Sequence, residues 1–182
     1  MSAPLGKLVQ QVEKVCSEAG WEYRRWTAED VRGLPGEAGK LFRDLSPKCD
    51  TISQQSNLAR YLILREVGGL YLDTDVELNK LPLMIEGAWV AGSTSIFQVC
   101  SCILACPAHH SWIERVVGLL TKVDLSVRGS AGSKLIAESL ADDVSVWSRS
   151  CWGRNAQRSE FGAHHWMGDS MGHFTIPPVV VE

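Results

Sequence analysis

Apolar residues in the first part of the chain follow spacings typical first of a helix and then of a strand. Positions from Leu5 to Val15 follow a helical spacing, and Gly20 supplies a stop. Polar and aromatic residues alternate from Glu22 to Trp26, which predicts a half-buried strand. Thr27 then opens a short helix as its N-cap. The glycines and proline from Gly33 to Gly39 predict a loop.

The rest of the chain alternates between helical and strand-like segments. Asp50 or Thr51 is expected to cap a long helix that ends at Val67, before a Gly-Gly stop. Further strands are predicted at 88–91, 99–105 and 144–147, and further helices at 109–120 and 133–140. This alternation predicts an α/β sandwich with a largely parallel sheet, whose ligands bind beyond the carboxyl ends of the strands.

A short apolar strand, Leu70 to Leu72, ends on two carboxylates, Asp73 and Asp75. Side chains two residues apart at the end of a strand lie on the same side of the chain. There they can share one hard divalent cation, Mg²⁺ or Mn²⁺, with positions left open for substrate phosphates. Because two like charges this close are costly without a cation, the first hypothesis is a metal-bridged phosphate site.

Size and charge argue against several classes of protein. The 182 residues suit one domain, and contents of 45% hydrophobic and 21% charged residues are ordinary for a soluble globular protein. A net charge of −3 argues against a general nucleic-acid binder. We find no apolar run of membrane-spanning length and no signal peptide, so we expect a cytoplasmic protein without an integral membrane segment.

The chain contains six cysteines, none of them in a CxxC pair. Cys100 and Cys102 alternate in a strand-like run, so their side chains are expected on one face. A zinc site built on thiolates is one interpretation. Buried free thiols are the favoured one.

The segment around the two carboxylates resembles a known family. RYLILREVGGLYLDTDVE, from Arg60 to Glu77, resembles the core motif of the DXD sugar transferases, which include polysaccharide mannosyltransferases and capsule-type glycosyltransferases. Weaker similarities lie upstream in WEYRRWTAED and downstream in ILACPAHHSWIERVVGLL and AHHWMGDS. The resemblance runs roughly from Gly20 to Ser170. It implies one domain over 1–182 with a GT-A-type, Rossmann-like three-layer sandwich and a mostly parallel central sheet.

The same resemblance implies a hexosyltransferase. Such an enzyme moves a sugar from a nucleotide-diphosphate donor, a UDP- or GDP-sugar, to an acceptor hydroxyl with retention of configuration. Glycan, lipid-linked and protein acceptors all stay open. Asp75 would ligate Mn²⁺ or Mg²⁺ directly, whereas Asp73 would hold the metal through water and contact the donor. His165 would complete the metal sphere, and Asp169 is a candidate for a third carboxylate near the metal.

Four further residues are candidates for the donor site. Arg60 would reach the diphosphate or the sugar, unless it is a surface arginine paired with an acid such as Glu66. Asn57 stands where the family has an aspartate, so it accepts hydrogen bonds from sugar hydroxyls without the strength that a charge adds. Trp26 is a candidate for lining the nucleotide base. Tyr71 is a donor-site candidate whose simpler interpretation is a core position.

Two alternatives to the transferase stay open. Phosphatases of the haloacid-dehalogenase type share an apolar strand that ends in DxD, and LYLDTDV fits that pattern. That motif normally follows the first strand of the protein, whereas a helix and a Gly-Gly turn precede it here. The other alternative is a nucleotide-sugar-binding relative without turnover. Asn57 favours it, as does Asp169-Ser170 in place of the family's Ser-Trp ending.

The last residues of the chain suggest a rearranged strand. Family members begin with an Ile-Pro-Lys strand in the sheet centre, which we expect to be lacking here. The segment 175–182, TIPPVVVE, again combines Ile-Pro with β-branched residues. It would either fill the position of that strand, as in a circular permutation, or form an edge strand or a disordered tail.

Overall fold

The structure is a computed structural model that describes residues 3–81, 87–93, 96–148, 152–153, 160–165 and 176–181. The described helices are α1 (Ala3–Glu18), α2 (Ala28–Arg32), α3 (Gly36–Leu45), α4 (Ile52–Val67), α5 (Ser111–Leu120) and α6 (Ser133–Ser139), with a 3₁₀ turn at Ser46–Lys48. The described strands are β1 (Glu22–Trp26), β2 (Gly69–Leu72), β3 (Val76–Leu78), β4 (Ala88–Gly92), β5 (Val99–Cys106), β6 (Val144–Trp147), β7 (Trp152–Gly153), β8 (Gly162–His164) and β9 (Ile176–Val181). None of these helices combines the length and the apolar character that crossing a membrane requires.

Local signals set both ends of α4, the helix that leads into the DxD strand. Thr51 and Gln54 form a capping box, in which the Thr51 hydroxyl accepts from the Gln54 N–H and the Gln54 side chain accepts from the Thr51 N–H. Gly68 ends the helix with φ of 71°, and a Cβ there would lie 2.5 Å from the backbone nitrogen of Ala108. Only glycine fits this turn, which sends β2 back antiparallel to α4.

The loop predicted at Gly33 to Gly39 is partly wrong. Helix α3 begins at Gly36, where φ is 59°, and Ala38 and Phe42 are fully buried in the core. The glycines and the proline of this segment favour a loop when the prediction rests on composition alone. Burial of this apolar face against α4 stabilises the helix nevertheless.

Six strands form the larger sheet, in the order β1-β9-β2-β5-β4-β6. The predicted α/β class is confirmed. The expectation of a mostly parallel sheet is not, because β4 and β6 form the single parallel pair among the described strands of this sheet. Strands β1, β2, β4 and β6 do run in one direction, but β9 and β5 are interleaved in the opposite one. Their carboxyl ends therefore still meet at one edge, which we call the site edge.

Strand β9 lies between β1 and β2 and is antiparallel to both. Val180 pairs with Tyr23 of β1 and with Leu70 of β2. The segment is thus paired on both sides and is not an edge strand. Its role as a substitute for the family's first strand stays a prediction, and residues 175 and 182 lie outside the described residues.

Two apolar clusters cover the two faces of the sheet. On one face Tyr71 and Leu104 pack with α4, α5 and α6, together with buried residues such as Trp112. On the other face Leu70 and Leu72 pack with α1. Alternate residues of β2 therefore enter opposite cores, as the period of a strand dictates. A three-layer GT-A arrangement stays a prediction.

The cysteines depart from the expectation of free thiols at one pair. Cys100 and Cys102 form a disulfide, with 5.4 Å between their Cα atoms. The predicted common face of their side chains is confirmed, but alternation alone does not give the oxidation state. Cys16, Cys49 and Cys106 are free and buried. Burial raises the pKa of the Cys16 and Cys106 thiols to about 12, so both stay protonated at neutral pH.

Candidate functional site

The site edge brings Asp73 beside the first half of β5. Strand β2 pairs with β5 up to Leu72, opposite Ile103, and the Asp73 N–H continues the ladder by donating to the Cys102 carbonyl at 2.9 Å. The Asp73 carbonyl then accepts from the Val76 N–H at 3.0 Å, which closes a turn over Thr74 and Asp75. Both carboxylates are partly exposed on this turn. In the structure the DxD motif therefore lies at the end of a strand, as the sequence predicts.

Arg60 is buried and holds Asp73 from the face of α4. Its side chain is 4% exposed, and its Nη2 lies 3.2 Å from Oδ1 of Asp73, which is 25% exposed. The same guanidinium donates to the Ser101 carbonyl of β5 and to the Ser56 carbonyl one turn earlier in α4. The surface arginine paired with Glu66, weighed as the simpler interpretation, is not what the structure has. Arg60 instead orients the first carboxylate of the motif.

Electrostatics keep Arg60 charged in this buried position. Burial is the largest single influence and lowers its pKa. The charge of Asp73, together with smaller contributions from Tyr71, Tyr61 and Asp75, outweighs burial, and the net pKa lies above the ordinary value. An uncompensated charge here would be costly. The pair therefore depends on both partners.

Tyr71 links the helix and the carboxylate. Its hydroxyl donates to Oδ1 of Asp73 at 2.7 Å and lies 3.5 Å from the Ser56 hydroxyl. The Arg60 guanidinium stands 4.8 Å from the centroid of the Tyr71 ring. Burial raises the pKa of Tyr71 well above its usual range, so the hydroxyl remains a donor. Tyr71 thus has the buried core position that the sequence also allowed, and its hydroxyl contacts Asp73, whereas its role in the donor site stays a prediction.

A small second sheet, in the order β3-β8-β7, brings His165 to the DxD turn. Val76 of β3 pairs with His164 of β8, and the His165 N–H donates to the Asp75 carbonyl at 3.0 Å. Gly162 permits this approach, because a Cβ there would lie 2.0 Å from the Glu77 carbonyl oxygen. The imidazole Nε2 of His165 lies 2.8 Å from Oε2 of Glu77. His165 thus lies beside the DxD turn, and its role as a metal ligand stays a prediction.

Glu77 is the residue that sequence reasoning missed. Asp73, Asp75 and Glu77 alternate along the chain, so the acidic pattern of the motif extends one position further than DxD. A carboxylate on one imidazole nitrogen fixes the ring and leaves the other nitrogen for a ligand. The alternation was visible in the sequence, but contact with a histidine 88 residues further along the chain was not.

The carboxylates suit a hard divalent cation by chemistry, since oxygen ligands are what Mg²⁺ and Mn²⁺ prefer. Within the described parts of the chain, no three His, Cys, Asp or Glu side chains lie close enough to hold a metal ion. A metal site at Asp73 and Asp75 therefore stays a prediction. Asp169 and the residues around it, Trp166 to Ser170, lie outside the described residues.

The other two donor-site candidates, Asn57 and Trp26, differ in how far their side chains are exposed to solvent. Asn57 is half-buried on α4, in the turn that also carries Ser56 and Arg60. Trp26 ends β1 at the site edge, but its side chain is 1% exposed, and the Arg24 guanidinium covers its ring at 3.8 Å. Contact between Trp26 and a base would require its neighbours to move. Both roles stay predictions.

Comparison with known proteins now bears on this site. Residues 8–93 match the family model described as a glycosyltransferase sugar-binding region containing a DXD motif. This region belongs to the DXD-motif glycosyltransferase family. It includes α4, β2 and both carboxylates, so Arg60, Tyr71, Asp73 and Asp75 all lie inside it. The resemblance drawn from the sequence is confirmed at the level of this family.

Two individual proteins are similar to parts of this chain. Inositol phosphoceramide mannosyltransferase 1 of Schizosaccharomyces pombe (strain 972 / ATCC 24843) is 26% identical over 107 residues, which are 58% of this chain and 34% of that protein. The chain thus matches about a third of the length of this curated relative. The solved structure of PaToxG Glycosyltransferase is 18% identical with a TM-score of 0.44, over 56% of this chain and 39% of that one.

Proposed function

We propose that the protein is a metal-dependent glycosyltransferase that moves a hexose from a nucleotide-diphosphate sugar to an acceptor hydroxyl, with retention of configuration. The observation that carries the proposal is the DxD turn inside the matched sugar-binding region, with Asp73 oriented by the buried Arg60 and Tyr71. A carboxylate fixed by two donors from a packed core is preorganised for a ligand. An ordinary surface turn would not need such support.

The two carboxylates have different roles in this proposal. Oδ1 of Asp73 already accepts from Tyr71 and lies within ion-pair distance of Arg60, which favours a role in orienting the donor and holding the metal through water. Asp75 is the direct ligand, with His165 beside it and Glu77 orienting the imidazole. A bound Mg²⁺ or Mn²⁺ would neutralise charge that develops on the leaving diphosphate.

Asn57 and Arg60 complete the donor side. Asn57 offers a carbonyl oxygen to the hydroxyls of the sugar without adding a charge. Arg60 acts through Asp73, because its guanidinium is engaged with Ser56 and Ser101 as well. Retention is proposed on the family resemblance, through attack by the acceptor hydroxyl on the face that the diphosphate leaves.

A mannosyltransferase among the relatives supports transfer of a hexose, and the name of that relative gives an inositol-containing sphingolipid as its acceptor. For this chain the donor stays a UDP- or GDP-sugar, and the acceptor a glycan, a lipid-linked sugar or a protein. A cytoplasmic location stays a prediction.

One experiment tests the proposed reaction. The purified protein is incubated with UDP-, GDP-, CMP- and dTDP-sugars and Mn²⁺, and release of the nucleotide is measured, with Asp75→Asn as the inactive control. We expect one donor to release nucleotide in the parent and not in the variant. Thermal stabilisation by one nucleotide diphosphate, without release from any sugar, would instead establish the binding-only alternative that Asn57 favours. Absence of both effects would refute the proposal.

A further inference from the structure

Exposed apolar side chains concentrate at the site edge. The large hydrophobic residues exposed among the described ones are Ile52, Ile96, Phe97, Val127 and Val146. Val146 lies within β6, in register with Val90 of β4 and one residue short of the end of its strand, whereas the other four lie at or beyond the site edge. We call these four residues, Ile52, Ile96, Phe97 and Val127, the apolar rim.

Ile96 and Phe97 form the tip of the hairpin between β4 and β5. Ile96 is 89% exposed and Phe97 is 36% exposed. The Ser93 N–H donates to the Gln98 carbonyl at 2.8 Å, and Gln98 adopts a positive φ of 58°. A non-glycine residue in that region indicates a turn held by its surroundings. The tip is thus built to present two apolar side chains to solvent.

The tip and the first turn of α4 extend beyond the site edge in the same direction. Arg60 binds the Ser101 carbonyl, so α4 and β5 are joined at the level of Asp73. From there the chain runs back five residues, through the start of β5, to Ile96, and α4 runs back eight residues, about 12 Å, to Ile52. Both side chains therefore lie beyond the carboxylates, on the side from which a substrate would approach.

Val127 joins Ile52 on this side. Gln54, in the first turn of α4, donates to the Ser126 carbonyl at 3.0 Å. This bond holds the loop after α5 against the start of α4. Val127 is 54% exposed and Ile52 is 39% exposed. The apolar rim therefore has a part on this loop, a part on α4 and a part on the β4–β5 hairpin.

We propose that the apolar rim docks a lipid acceptor, by inserting into the acyl region of the bilayer that holds it. The inference rests on the proposed transferase function, since the acceptor must reach the edge where Asp73 and Asp75 bind the donor. A soluble glycan would be met by polar and aromatic side chains, whereas aliphatic residues and Phe at an exposed tip match hydrocarbon. The hydroxyl of a lipid headgroup would then lie next to the donor sugar.

The test measures vesicle binding and donor binding separately in the same proteins. The variant Ile96→Ser with Phe97→Ser removes the hairpin tip, and Val146→Ser is the matched control for an exposed apolar residue on β6. Each protein is sedimented with vesicles of phosphatidylcholine, alone or mixed with phosphatidylinositol. Binding of the nucleotide diphosphate with Mn²⁺ is measured by calorimetry, and the oligomeric state by analytical ultracentrifugation.

We expect the parent and Val146→Ser to bind vesicles of both compositions. The double variant should partition at least about tenfold less, since it loses two buried apolar side chains from the bilayer. Its affinity for the nucleotide diphosphate should be unchanged, because neither side chain supports the carboxylates. That pattern would establish the rim as the lipid-docking surface.

Other patterns overturn the proposal in distinguishable ways. A parent that does not bind vesicles, or a double variant that binds as well as the parent, would exclude lipid docking at the rim. A dimer that the double variant loses would assign the rim to a second copy of the chain. If the parent binds vesicles through the rim but binds no nucleotide diphosphate, the transferase function fails, and the acceptor interpretation fails with it.

Discussion

At the scale of single residues, the decisive feature is the way that core side chains hold the first carboxylate of the DxD motif. Asp73 ends a buried strand, and its Oδ1 meets the Tyr71 hydroxyl and the Arg60 guanidinium. The sequence predicted all three as site residues from the motif, and these roles stay predictions. It predicted a contact of Arg60 with the donor and missed the ion pair with Asp73. Which side of a helix faces the sheet depends on long-range packing, which the local sequence does not encode.

The ion pair between Arg60 and Asp73 should be strongly coupled. Arg60→Met leaves Asp73 without its cation, and because Asp73 is a quarter exposed we expect a loss near the lower end for buried pairs, about 3 kcal/mol of unfolding free energy. The double variant with Asp73→Asn should be more stable than the sum of the single losses predicts. Urea unfolding in a double-mutant cycle measures this coupling.

The exposed pair Lys40 and Asp44 is the control, with an expected coupling of about 0.5 kcal/mol or less. Additive losses at Arg60 and Asp73 would contradict the account.

Restoring a carboxylate at position 57 should strengthen donor binding. Asn57→Asp exchanges a neutral acceptor for a charged one beside the sugar, which should improve nucleotide-sugar affinity by about 1 kcal/mol. Calorimetry with the nucleotide-sugar and with the bare nucleotide diphosphate separates the two contributions. The gain should appear with the sugar only. An equal change for both ligands would mean that position 57 does not face the sugar.

The contact between Glu77 and His165 should influence the metal. Glu77→Gln keeps the shape of the side chain but removes the charge that orients the imidazole, and we expect Mn²⁺ affinity to fall by about tenfold. Titration of free Mn²⁺ by electron paramagnetic resonance measures this without turnover. In a His165→Ala background the same change should have no further effect. A full tenfold loss in that background would show that Glu77 acts independently of His165.

At the scale of elements, locally encoded features were predictable and pairing was not. The end of α4 at Val67 and the strand at Val144–Trp147 follow from neighbouring residues, and the structure confirms them. The cap was predicted at Asp50 or Thr51, and the structure has Thr51. The direction of β5 depends on its short hairpin with β4. The position of β9 depends on partners more than a hundred residues earlier in the chain. Long-range pairing of this kind leaves little mark on local sequence.

Strand β9 should be required for the fold. It pairs with both β1 and β2, so deletion of residues 176–182 removes two ladders from the sheet that carries Asp73. We expect an insoluble or unfolded product, whereas deletion of Glu182 alone should leave the protein folded. Circular dichroism and thermal unfolding of the soluble fraction report the outcome. A soluble truncation with an unchanged melting temperature would rule out β9 as a substitute for the family's first strand.

At the scale of the whole molecule, the four strands that share a direction bring their carboxyl ends to one edge. That edge holds the DxD turn, and the apolar rim extends beyond it. The sequence overestimated parallel pairing. Its prediction that ligands bind beyond the strand ends does not need such pairing, because the common direction of β1, β2, β4 and β6 already brings their carboxyl ends to one edge. The two apolar clusters pack against opposite faces of the sheet beneath the site.

The central claim is that Asp75 binds a divalent cation that holds a nucleotide diphosphate. The most direct measurement is thermal unfolding with UDP or GDP, with and without Mn²⁺, for the parent, Asp75→Asn and Asp142→Asn. Asp142 is an exposed aspartate in the turn before β6 and serves as the matched control. We predict that one nucleotide diphosphate raises the melting temperature of the parent and of Asp142→Asn only when Mn²⁺ is present, because a ligand stabilises the state that binds it. Asp75→Asn should show the melting temperature of the unliganded protein under every condition. An undiminished Mn²⁺-dependent shift in Asp75→Asn would contradict the account.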